Sequence, residues 1–98
     1  MSLEVFKEYF ELDRNCRSGL RWVKSASRLR RDIIGTEAGT FHQPSGYFNV
    51  KLKGKVYRAH RVVYSLSRNE ELLSTDFIDH IDYDRSNTNP DNLRKASR

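Results

Sequence analysis

The residues with most chemical potential stand near the end of the chain: Asp79-His80, then Asp82 and Asp84, with Asn92 beyond a polar loop. Carboxylates beside an imidazole are the groups needed for metal-assisted phosphodiester cleavage. A hard divalent cation takes oxygen ligands, and Mg²⁺ keeps several waters and accepts only one or two protein carboxylates. A neutral imidazole is a base near neutral pH. It can take a proton from an attacking water while the metal neutralises charge on the phosphate and the leaving oxygen. The same spacing also suits a plainer reading, with Asp79 and Asp82 as turn or capping acids and His80 as a surface histidine. Adjacent residues on a regular strand point to opposite faces. Asp79 and His80 therefore serve one site only where the strand ends, twists or bulges.

Several elements must position these residues. The opening Leu3–Phe10 mixes helical and strand patterns. Phe10–Leu12 and Leu20–Val23 read as short strands around a turn-rich Asp13–Gly19. Lys24–Asp32 is polar, basic and without a clean period, which predicts an exposed loop. Tyr47–Lys53 alternates strictly, with Phe48, Val50 and Leu52 on one face. Lys53-Gly54 is the expected two-residue turn, and Lys55–Arg58 runs back. That register opposes Leu52 to Lys55, Val50 to Tyr57 and Asn49 to Arg58. It leaves a second face of Asn49, Lys51, Val56 and Arg58, a basic ribbon of a width that fits a DNA major groove or merely blunts a sheet edge. Ala59, Val62, Val63 and Leu66 then form a helical stripe that should cover the hairpin, with Arg61, Ser65 and Arg68 directed elsewhere. His60, beside that stripe, is expected to be packed and hydrogen-bonded. Asp76–Asp84 has a short strand pattern, and Pro90 forbids a helix through the turn-rich 85–91 stretch.

Composition narrows the classes. Ninety-eight residues allow one small domain with a modest core. No apolar stretch approaches membrane length, and Met1–Glu8 shows no secretory signal. The single Cys16 excludes an internal disulfide and points to a reducing, cytoplasmic setting. The formal charge is +5, but it is unevenly spread. Residues 21–68 carry eleven basic against two acidic side chains, and residues 69–98 four against seven. A concentrated basic field favours polyanions, and a non-catalytic DNA-binding module is the alternative to an enzyme.

Asp79-His80-Ile81-Asp82, the polar loop and Asn92-Leu93-Arg94 together resemble the core of the HNH homing-type endonucleases of phages and mobile introns. Upstream, Leu20-Arg21-Trp22, Ala38-Gly39, Gly46-Tyr47-Phe48 and Tyr57-Arg58-Ala59-His60-Arg61 are similar to the same family, so the likeness runs from about Phe10 to Ser97. The resemblance implies an α+β domain over 1–98. Residues 10–68 would form a sheet-plus-helix DNA-binding region, a small antiparallel sheet under a covering helix. Residues 76–98 would form a ββα-metal unit. It implies cleavage of double-stranded DNA, often of one strand, with one Mg²⁺ or Mn²⁺ and neither a membrane nor a protein partner; a phage-encoded copy would act in the host cytoplasm. Asp79 is the implied metal ligand and His80 the implied general base. Asn92 is the implied motif asparagine that ties the loop to its backbone. Lys51, Lys53, Arg58 and Arg61 are the implied DNA contacts. Two departures stand out: Tyr83 and Asp84 occupy the turn where the family has glycine, and Arg98 falls just before the family's last metal-binding residue.

Overall fold

The computed structural model describes residues 3–96; Met1, Ser2, Ser97 and Arg98, which the expectations for the leader and the end of the motif also cover, lie outside the described residues. The chain is an α+β fold of small antiparallel sheets. A short helix, α1 (Leu3–Tyr9), leads into β1 (Phe10–Leu12), which pairs with β2 (Leu20–Trp22). The mixed pattern of the opening thus resolves as helix, with Leu3, Phe6 and Tyr9 buried on one side. The basic 24–32 stretch is exposed as expected, but part of it coils into 3-10 turns over Arg28–Ile33, started by Ser27 accepting from the Leu29 amide.

A three-stranded sheet follows: β3 (Thr40–His42), β4 (Tyr47–Leu52) and β5 (Lys55–Arg58), in that order. The β4–β5 register opposes Leu52 to Lys55, Val50 to Tyr57 and Asn49 to Arg58, as alternation requires. Lys53 and Gly54 both have positive φ, the signature of a type I′ turn whose twist matches the strands. β3 was not expected, because Thr40-Phe41-His42 is too short a run for a period to be read; all three of its residues are exposed. Gly39 makes its approach possible: it sits at φ +101°, and a Cβ there would lie 2.8 Å from the Asn49 carbonyl oxygen.

Helix α2 (Ala59–Arg68) covers the sheet. Ala59, Val62 and Val63 are buried against Phe48, Val50 and Leu52, in one cluster that also takes in Phe6, Phe10, Leu20, Leu72, Ile78 and Leu93. Each such aliphatic contributes about 1.5–3 kcal/mol. Asn69, in the left-handed region, closes the helix. Ser65 departs from the expected outward direction. It is buried, and its hydroxyl donates to the Glu70 carbonyl, turning the chain into the connector. The last unit pairs β6 (Phe77–His80) with β7 (Leu93–Ala96), with a 3-10 turn at Pro90–Asn92 between them. No helix among the described residues is long and apolar enough to cross a membrane.

Candidate functional site

β6 and β7 are the strands of a hairpin whose long connection, residues 81–92, is held from inside. Asn92 is the tie. Its Oδ1 accepts from the Asp82 amide at 3.1 Å, and its Nδ2 donates to Asp82 Oδ1 at 2.9 Å and to the Asn87 carbonyl at 3.2 Å. Its carbonyl accepts from the Ile81 amide at 2.8 Å. Asp82 also accepts from Asn87 Nδ2, and these bonds hold its carboxyl below the usual carboxylate range, the Asn87 bond foremost. Asp84 accepts from the Ser86 amide and hydroxyl. Both acids are therefore committed to shaping the loop. Tyr83 takes the left-handed conformation at φ +63°, the region in which glycine is at ease, and its ring stands in solvent.

The strand separates the acid from the base. Ile78 and His80 are on the buried side of β6, and Phe77 and Asp79 on the more open one. Asp79 is paired with Arg94, its register partner, at 3.2 Å. His80 retains only 4% of its exposure and packs against Tyr47 and His60, with ring centroids 5.9 and 4.7 Å away. Its Nε2 is buried without a hydrogen-bond partner. Burial lowers its pKa, with Asp82, Asp79 and Asp84 opposing, so the ring is neutral at neutral pH. Among the described residues no group of three or more His, Cys, Asp and Glu is arranged to hold a metal ion. Asp79 offers a single carboxylate, the number that Mg²⁺ can accept, and it would have to exchange Arg94 for the cation.

His60 is packed, as its place beside the helical stripe implies. It stacks on Tyr47 at 5.1 Å and 19°. Its Nδ1 has no hydrogen-bond partner. Its pKa is pushed down to about 3, chiefly by burial and then by His80, Arg61 and Arg58.

The four expected DNA-contacting cations divide into two kinds. Lys51 is exposed on the outer face of β4. Lys53 reaches over the Tyr9 ring at 5.1 Å. Both line an open groove of about 660 Å³ with Trp22 and Arg30, between the hairpin tip and the 3-10 turns. Arg58 and Arg61 are more occupied. Arg58 donates to Ser45 Oγ and Asn49 Oδ1, each at 3.0 Å, and lies over the Tyr47 ring at 4.6 Å. Arg61 donates to the Leu73 and Asp76 carbonyls and so clamps the connector.

Sequence reasoning passed over Tyr47 and Arg85 as neighbours of the site. For Tyr47 a signal existed: with Asn49 opposite Arg58, Tyr47 is its diagonal neighbour on the same face, within reach of a long side chain. Arg85 gave no signal, because its position depends on how the 81–92 loop folds back. Compared with protein-family models, curated proteins and solved structures, the chain matches none of them.

Proposed function

We propose that this chain carries the DNA-binding surface and the Asp-His site of a metal-dependent DNA endonuclease of the HNH type. The observation that carries the reading is the three-bond tie made by the Asn92 side chain across the 81–92 loop, behind a strand ending in Asp79-His80. The family resemblance implies that tie at that residue. The donor set fits one metal ligand: Asp79 would hold Mg²⁺ or Mn²⁺ on the open side of β6. When bound, the ion would supply charge neutralisation at the scissile phosphate and the leaving oxygen. His80 would act as general base through Nε2, the buried ring nitrogen without a partner, provided that the end of β6 turns to bring it to the cation's side and admits the water whose proton it takes. Lys51 and Lys53 would meet the phosphates of double-stranded DNA.

A second reading has its own support. The burial of His80 and the Asp79–Arg94 pair suit a non-catalytic DNA-binding module that keeps the Asp-His as a structural remnant. Supercoiled plasmid with Mg²⁺ or Mn²⁺ separates the two. The chain is assayed beside its His80→Ala variant. Metal-dependent nicking that the variant loses supports the enzyme. Binding without metal-dependent nicking overturns it and leaves the module.

A further inference from the structure

The turn between β3 and β4 leans on the 81–92 loop, and two arginines meet there. Arg58, from the end of β5, donates to Ser45 Oγ. Arg85, from the loop, donates through Nη1 to the Ser45 carbonyl at 3.1 Å. Both guanidiniums also lie over one ring, that of Tyr47, at 4.6 and 5.1 Å from its centroid. Neither forms an ion pair with a carboxylate among the described residues. Their recorded acceptors are neutral: a hydroxyl, an amide oxygen, a carbonyl and a π face.

Two like charges converging on one serine and one ring repel each other. Neutral acceptors and a π face orient guanidiniums without cancelling their charge. An arrangement of this kind leaves positive charge available to an anion. The fork of N–H groups on each guanidinium matches phosphate oxygens, and this geometry favours arginine over lysine at such sites. The location sets the class of anion. Tyr47, the ring beneath both arginines, is also the ring that packs on His80. Arg85 is exposed and Arg58 half-buried, so one arm faces solvent while the other is anchored in the sheet.

We propose that Arg58 and Arg85, gathered over Tyr47, form a two-armed seat for one backbone phosphate of a polynucleotide, next to His80. The inference rests on the DNA-binding reading and deepens it by naming where a phosphate lies relative to the imidazole. Arg85 is then a substrate-positioning residue that brings the 81–92 loop into the interface.

Duplex binding by fluorescence anisotropy across a salt series, in EDTA so that no cleavage enters, tests it. Arg85→Gln is compared with wild type and with Lys7→Gln, a charge-matched change at an exposed position of α1. Arg85→Gln should weaken binding about three- to tenfold and lower the salt slope by about one, with Tm unchanged; Lys7→Gln should track wild type. In parallel, the arginine Nε–Hε resonances are followed while a short duplex or inorganic phosphate alone is added. Shifts at Arg58 and Arg85 with duplex support the seat. Wild-type affinity and slope in Arg85→Gln overturn it, as does a response to inorganic phosphate without one to duplex. The nuclease reading fails separately, by absence of His80-dependent nicking, and that failure leaves the binding result standing.

Discussion

The imidazoles of His60 and His80 lie 4.7 Å apart, centroid to centroid and inclined at 48°, each with one buried nitrogen lacking a hydrogen-bond partner. Two buried rings this close cannot both be protonated without strong repulsion, and burial already disfavours the charged form of each. His60 is the more extreme, held down to about 3. An ordinary histidine takes up its proton near 6.5 in the unfolded chain. Between these values the unfolded state binds more protons, so stability falls as the pH drops from about 6.5 towards 3. The full development of this effect is on the order of 5 kcal/mol. His60→Phe keeps a stacking ring and removes the titration. Urea denaturation at a series of pH values should give the variant a flatter acid limb than wild type; parallel limbs would show that His60 is not the linked group.

Asn92 is worth more than one hydrogen bond to the loop. Asn92→Ala removes three side-chain bonds and releases Asp82. The cost should be about 2 kcal/mol. Amide exchange should then speed up across residues 82–89, with little change in β4 and β5. Equal loss of protection in the β4–β5 hairpin would mean that the loop does not open on its own.

Tyr83 carries a conformational cost without a packing return. It is 84% exposed and left-handed. Tyr83→Gly should stabilise the chain by about 0.5–1 kcal/mol, the relief of the Cβ clash net of the added freedom of the unfolded glycine. Tyr83→Val should do the reverse. A thermal melt of the three proteins gives the order, and destabilisation by glycine would contradict this account of the turn.

Gly39 allows no such freedom. With φ at +101° and backbone oxygen 2.8 Å from where Cβ would stand, Gly39→Ala has to move β3 off β4. Destabilisation by about 2 kcal/mol or more is expected from strain alone, read as a fall in denaturation midpoint. A midpoint near wild type would mean that β3 contributes little.

The hairpin and helix were legible because period decides them. Strict alternation from Tyr47 to Leu52 and the stripe on Ala59, Val62 and Val63 each single out the face that meets the core, although α2 buries His60, Tyr64 and Ser65 besides. α1 was ambiguous because Leu3, Phe6 and Tyr9 space like a helix while Leu3, Val5 and Tyr9 also fit the two-residue period of a strand. β3 could not be read, since the three residues Thr40–His42 are too short a run to show a period and its place comes from Gly39 and the partner strand. The loop tie at Asn92 was anticipated through the family likeness rather than from spacing. The arrangement around His80 was hidden for another reason. Tyr47, His60 and Arg85 come from three separate elements, and only the docking of the last hairpin on α2 brings them together.

That docking relies on main-chain acceptors. Arg61 reaches the carbonyls of Leu73 and Asp76, and Arg68 those of Pro90 and Leu93. Every residue type presents a carbonyl, so Leu73 and Pro90 can change identity without loosening the attachment, whereas neither arginine has a substitute of equal reach and fork. Tolerance to replacement is therefore lopsided: Leu73 and Pro90, gripped by their carbonyls, are free to drift, and the two side chains gripping them are not.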